Sequence, residues 1–145
     1  MSLTMSPEER EAFLADVHVG VISVASDDRG PLSVPIWYTY EPGGLLSFNT
    51  GRTSQKAQRI RAAGRFNVCA QTETAPYKYV SVEGAVVALD DPAEPAERRA
   101  IAHRYLGPEL GDLYLEATAA DAPTTVTFRM RPERWLSVDY TKQFG

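Results

Sequence analysis

The 145-residue chain has one cysteine, two histidines and no long apolar run. A lone cysteine excludes an internal disulfide framework. None is needed, because a domain of this length buries roughly two-thirds of the surface its unfolded chain exposes. Cys69 lies in the apolar run Phe66-Asn67-Val68-Cys69-Ala70, which marks a buried strand residue rather than a nucleophile. His18 and His103 are far apart and lack metal-ligand spacing, so no metal site is predicted; His18 is expected at a strand edge and His103 on a helix surface. No segment approaches the roughly 20 apolar residues that span a bilayer. The early Glu8, Glu9, Arg10 and Glu11 do not fit a signal peptide. These absences describe a soluble, cytoplasmic protein with no membrane partner. Gly-x-Ser-x-Gly, Walker and Rossmann patterns are missing too, leaving serine-hydrolase, P-loop and dinucleotide-fold readings without local support.

Positive charge is the minority sign, with 15 Lys/Arg against 19 Asp/Glu and a net charge of −4. An acidic balance argues against general nucleic-acid binding. Residues 49–65 reverse it, holding Arg52, Lys56, Arg59, Arg61 and Arg65 and no carboxylate. Thr50, Thr53 and Ser54 stand just ahead of a helical pattern, where free N–H groups and the positive dipole end favour an anion such as phosphate. Lys56 in the first helical turn is unfavourable by about 0.3–1 kcal/mol unless an anion lies beside it. Lys56 and Arg59 share a helix face, whereas Arg61 points elsewhere and, with Arg65, reads as solvated surface. The stretch has no aromatic before Phe66, so it does not suit single-stranded nucleic acid.

The rest of the chain reads as one domain, 1–145. Ser6-Pro7-Glu8-Glu9 is a helix start with a capping box, followed by an apolar stripe of Phe13, Leu14 and Val17. Strands are predicted over 19–26, 32–40, 45–50, 66–72, 77–89, 124–130 and 135–139, separated by turn residues. Gly84 is the expected bend in the long fifth strand. A helix is predicted over 95–105, with Ile101, Ala102 and Tyr105 on one face, stopped by Leu106-Gly107-Pro108. Residues 109–122 read as a short helix or turn followed by a loop. Asp90, Asp91, Glu94 and Glu97 look like turn and helix-start residues. About seven strands with two or three helices inserted suggest a mainly β (α+β) chain, a small antiparallel barrel. Pro35 inside a strand predicts a bulge or an edge, freeing backbone groups for a ligand. Trp37 and Tyr38 must face opposite ways, so only one packs inward.

Ser33-Val34-Pro35-Ile36-Trp37-Tyr38, Phe48-Asn49-Thr50, Ser54-Gln55-Lys56-Ala57 and Tyr79-Val80-Ser81-Val82-Glu83-Gly84 together resemble the pyridoxamine 5′-phosphate oxidase-like split β-barrel family, especially its actinobacterial F420-dependent branch. The resemblance covers roughly residues 8–140 and implies a split barrel with peripheral helices. It places Pro35, Ile36 and Trp37 against an isoalloxazine or deazaflavin ring, and Thr50, Ser54, Gln55 and Lys56 around its phosphate. Tyr79 and Val80 are implied ring or ribityl contacts. Gln55 stands where true pyridoxamine phosphate oxidases have an arginine before the lysine, and no C-terminal Arg/His set matches their substrate site. The resemblance therefore does not extend to vitamin B6 oxidation.

Coenzyme F420 is the expected cofactor and FMN the alternative, because Arg52 and Arg59 with Lys56 offer a track for the carboxylated F420 tail. The implied activity is hydride transfer between F420 and an unidentified small organic substrate; an FMN-dependent oxidoreductase and a non-catalytic cofactor carrier are the alternatives. No catalytic side chain is assigned, although Tyr38, Tyr77 and Tyr79 are candidate proton donors. The resemblance also implies a homodimer with cofactor sites at the interface. Tyr77-Lys78-Tyr79 and the 135–140 strand are its candidate contacts.

Overall fold

The structure is a computed structural model that describes residues 2–145. Its first element is the helix α1 (Pro7–Ala15), capped as the sequence requires: Ser6 Oγ accepts from Glu9 N at 3.1 Å, and Glu9 Oε1 accepts from Ser6 N at 2.8 Å. Phe13 and Leu14 are buried, but Val17 falls beyond the helix and is 54% exposed, so the predicted stripe stops one turn early.

Strands β1 (Gly20–Val24), β2 (Leu32–Ile36), β3 (Leu46–Gly51), β4 (Arg65–Gln71), β5 (Lys78–Asp90), β6 (Thr125–Met130) and β7 (Arg134–Asp139) form one antiparallel, seven-stranded sheet. The order is β2-β1-β4-β5-β6-β3, with β7 added on β5. The helices α2 (Gln55–Ala63) and α3 (Pro95–Ala117) complete the expected α+β split barrel.

The 13-residue β5 makes the corner. Residues 79–85 pair with β4 and 78–83 with β7, and then a register shift between Val86 and Ala88 turns the strand onto β6. Gly84 sits just before that shift. A Cβ there would lie 1.7 Å from the Arg131 carbonyl oxygen, so the residue admits a close backbone approach as well as marking the bend.

Alternation along the strands fills the interior with Ile22, Val24, Phe48, Val68, Val82, Phe128 and Met130. Phe48 stacks on Phe128 at 5.9 Å and meets Phe66 edge-on at 5.4 Å. Cys69 is half-buried on β4, and burial pushes its thiol pKa up, which leaves it a poor nucleophile at neutral pH.

Two predicted boundaries are corrected. β2 ends at Ile36 rather than Tyr40, because the chain there parts from β1 and crosses to β3: the Tyr105 hydroxyl accepts from Tyr38 N at 3.1 Å and donates to His18 O at 2.6 Å, and Thr39 then bridges Ser47. The predicted stop at Leu106-Gly107-Pro108 is a break within α3: Gly107 has φ +80°, and Pro108 starts a second helical stretch that runs to Ala117. A 3-10 turn, Ala119–Thr124, then leads into β6.

Asp90 and Glu97 do more than end a strand and start a helix. Both pair with Arg129 of β6, which also donates to Ser47 Oγ at 3.1 Å. The cluster ties the first stretch of α3 to β3, β5 and β6.

Candidate functional site

A cavity of about 620 Å³ lies between the C-terminal ends of β2 and β3, the start of α2 and the inner face of α3. Small-molecule sites run about 300–1,000 Å³, so this volume suits a cofactor-sized ligand.

The apolar part of its lining comes from Val19, Pro35, Ile36, Trp37, Ile101 and Tyr114. β2 is an edge strand of the sheet, the place where a strand proline is tolerated, because one row of its backbone pairs with no neighbouring strand. Tyr38 is the inward member of its pair, fully buried with its hydroxyl donating to Leu14 O at 2.7 Å. Trp37 therefore faces the cavity, stacked on Tyr105 at 5.1 Å and tilted against Tyr114 at 5.4 Å.

The polar part gathers around the end of β3. Thr50 Oγ1 and Ser54 Oγ share a hydrogen bond at 2.8 Å, and Ser54 Oγ caps α2 by accepting from Ala57 N at 3.1 Å. The first-turn N–H groups of Gln55 and Lys56 have no intrahelical acceptor by helix geometry. Register sets Gly51 beside Thr125, and Arg52 N donates to Thr124 O at 2.7 Å, which brings the 3-10 turn to the same end. Lys56 lines the cavity from α2 and Arg98 from α3.

Five of the sequence-predicted residues thus meet at one cavity: Pro35, Ile36, Trp37, Thr50 and Lys56. Ser54 stands behind Thr50 as its hydrogen-bond partner and helix cap, and Gln55 is exposed at the helix start. Arg52 is drawn away. Its Nε donates to Asp91 Oδ2 at 2.7 Å and its guanidinium to Pro123 O at 3.1 Å, and Asp91 is held below the usual carboxylate range by that hydrogen bond. Arg59 lies outside the lining, with a buried Nη1 that has no hydrogen-bond partner. Val80 is fully buried in the core and Tyr79 is half-buried on β5 beside Val138 of β7, so neither reaches the cavity within this chain. Arg61 is exposed and donates to Arg52 O at 2.7 Å.

The proposed proton donors also move. Burial raises the Tyr38 pKa and its hydroxyl is committed to Leu14, while Tyr77 is exposed away from the cavity. The tyrosine at the cavity wall is Tyr114. Tyr114 and Thr118 have no signal in the sequence because the 109–122 stretch lacks a clear period, and Arg98 has none because nothing in the predicted 95–105 helix tells that its face meets the cavity. His103 is not a free surface residue: its Nε2 lies 2.7 Å from Asp112 Oδ1 across the Gly107 break. His18 stands just ahead of β1, stacked on Phe13 at 4.4 Å. Among the described residues, no cluster of three or more His, Cys, Asp or Glu is placed to hold a metal, and no helix is long and apolar enough to cross a membrane.

A split barrel with an edge-strand proline, an aromatic wall and a hydroxyl-lined helix start defines a class of small cofactor-binding domains. The chain belongs to the pyridoxamine 5′-phosphate oxidase family, whose sequence profile matches residues 6–139. Solved structures with this fold include an F420 reductase, 23% identical over 87% of this chain and 94% of its own, with a TM-score of 0.73. A conserved hypothetical protein from Mycobacterium tuberculosis is 23% identical over 99% and 91%, with a TM-score of 0.74. A FAD-binding protein from Mesorhizobium loti is 23% identical over 92% of each chain, with a TM-score of 0.61. No match was found among curated proteins.

Proposed function

We propose that this protein is an oxidoreductase that binds a flavin-type cofactor, with coenzyme F420 preferred and FMN the alternative, and acts on a small organic substrate. The observation that carries the reading is the divided lining of the cavity: one aromatic and aliphatic part sized for a planar ring, and one part of hydroxyls, helix N–H groups and cations suited to phosphate. The donor set fits such a group. Thr50, Lys56 and the start of α2 would hold the phosphate, and Pro35, Ile36 and Trp37 would lie against the ring.

When bound, F420 supplies two-electron hydride chemistry, and the protein supplies position and electrostatics. Trp37, braced by Tyr105 and Tyr114, fixes one wall of the ring pocket. The unpaired row of β2 backbone would offer donors and acceptors to a polar ring edge, and Ile101 and Ala102 add apolar lining from α3 that excludes water. The Tyr114 hydroxyl is the side-chain group of the lining best suited to hold a proton for a substrate.

Titrating the purified protein with F420 and with FMN tests the reading. Fluorescence quenching and an altered visible spectrum at micromolar protein are the expected results, and a protein that binds neither compound ends the proposal. Turnover with a panel of quinones, enones and tetrapyrroles separates an enzyme from a carrier, which would bind the cofactor and reduce none of them.

The protein is further proposed to act as a homodimer. Leu136 is 61% exposed on β7 and Tyr77 is 52% exposed ahead of β5, apolar area that suits a partner. A dimer is expected by light scattering, and a monomer at tens of micromolar removes that part of the reading.

A further inference from the structure

Arg98 lies outside the cationic stretch 49–65, yet it lines the cavity with Lys56. Its surroundings differ from those of three arginines at the sheet that are neutralised by carboxylates. Arg52 is matched by Asp91, Arg65 by Glu83 and Glu133, and Arg129 by Asp90 and Glu97. Among the described residues, Arg98 has no such carboxylate partner. Asp121, the carboxylate of the lining, lies on the 3-10 turn and makes no ion pair with it. A half-buried cation without a counter-charge is costly, and a ligand anion removes the cost.

The side chain is also held in place. Arg98 Nη2 donates to Thr118 Oγ1 at 3.1 Å, and that hydroxyl in turn donates to Tyr114 O at 2.8 Å, fastening the guanidinium to the second stretch of α3. One nitrogen is engaged by Thr118, and the rest of the planar fork remains for a bidentate acceptor such as a carboxylate or phosphate. Ile101 and Ala102 follow one turn further along α3, so the same helix face presents a charge and then apolar surface to the cavity. Arg52 is taken up by Asp91 and Arg59 stands outside the lining, which leaves Arg98 as the cation able to serve an extended anion.

We propose that Arg98 recognises a second anionic group on the cavity's ligand, beyond the phosphate met by Lys56, and so selects cofactors whose phosphate is extended by further negative charge. This assignment rests on the flavin-type reading above. It names which part of the ligand meets α3.

Affinities of the wild type, Arg98→Gln and Arg98→Lys are measured for F420, which carries a phosphate and a carboxylated tail, for FMN, which carries a phosphate alone, and for uncharged riboflavin. The expected result is a loss of about 10- to 100-fold for F420 in Arg98→Gln, as for a lost hydrogen bond to a charged group. FMN should change less than about 3-fold and riboflavin not at all, with part of the F420 loss restored in Arg98→Lys. An equal loss for all three ligands would make Arg98 a packing residue for α3 and overturn the proposal, as would unchanged F420 binding.

A fourth arm separates the two readings. Should none of the ring compounds bind the wild type, the cofactor proposal fails by itself, and tripolyphosphate then decides for Arg98. Raised thermal stability of the wild type but not of Arg98→Gln supports an anion site, and no shift in either overturns it.

Discussion

Replacing Gly84 by alanine is expected to cost the domain about 4 kcal/mol or more, an exceptional loss for one methyl group that a clash with main chain accounts for. The added Cβ would stand 1.7 Å from the Arg131 carbonyl oxygen and 2.8 Å from its carbonyl carbon. No rotamer relieves this, because the obstacle is main chain. The β6–β7 turn that carries it is pinned on both sides, with Arg131 N donating to Ala85 O at 3.0 Å and Glu133 N donating to Glu83 O at 2.8 Å. Relief therefore means breaking ladder bonds at the strand that joins both halves of the sheet. For a chain of this size the melting temperature should fall by about 10–20 °C, against a total stability of about 5–15 kcal/mol. Gly30→Ala is the control, since nothing lies within 4 Å of its would-be Cβ. A Gly84→Ala protein melting within two or three degrees of Gly30→Ala would show that the turn yields more easily than its hydrogen bonds imply.

Gly84 also illustrates what the sequence made legible. A glycine in a long β-rich run announces either a bend or a close approach, and only the tertiary arrangement reveals that both occur here. Capping chemistry was legible for the same local reason: Ser6 and Glu9 lie three residues apart, and Ser54 meets Ala57 N across the same interval. The α3 break was misread because Gly-Pro carries two meanings. A glycine with positive φ ends a helix, and a proline at the first helical position begins one, so Leu106-Gly107-Pro108 is a stop and a restart at once. Local pattern holds nothing that decides between them; the second stretch is held by packing, with Gly111 set against Ala102 and His103.

At the cavity, the lining residues Pro35, Ile36 and Trp37 and the lining residues Thr50 and Lys56 were readable as candidates because each set falls in one short stretch of sequence. The pairing of the cations was not. Arg52 meets Asp91 and Arg98 meets Thr118, pairs 39 and 20 residues apart, and no spacing rule reaches across a sheet corner or a helix break. Charge counting identified the cations but could not tell which had a carboxylate waiting. The same limit governed Trp37 and Tyr38. Alternation required that one face inward, and the choice was made by Leu14, whose carbonyl accepts the Tyr38 hydroxyl.

Lys56→Glu is expected to weaken any phosphorylated flavin-type ligand about 100- to 10,000-fold. A hydrogen bond to a charged group contributes about 1.5–3 kcal/mol, and reversing the sign adds repulsion of comparable size, each 1.4 kcal/mol being about a factor of ten. Lys56 lines the cavity from the first turn of α2, a turn with no acidic residue, and among the described residues it has no carboxylate partner. In the free protein it opposes the helix dipole, so glutamate there should raise the melting temperature slightly rather than lower it. Opposite effects on binding and stability distinguish a ligand-facing lysine from a structural one. Riboflavin, which lacks the phosphate, should bind the wild type and Lys56→Glu alike, and the FMN or F420 difference between the two proteins should narrow as salt screens the charges. Equal weakening of riboflavin and FMN would place Lys56 against the ring or in the packing of α2. Unchanged binding of both would reduce the cationic stretch to a solvated helix face, with no phosphate held at the start of α2.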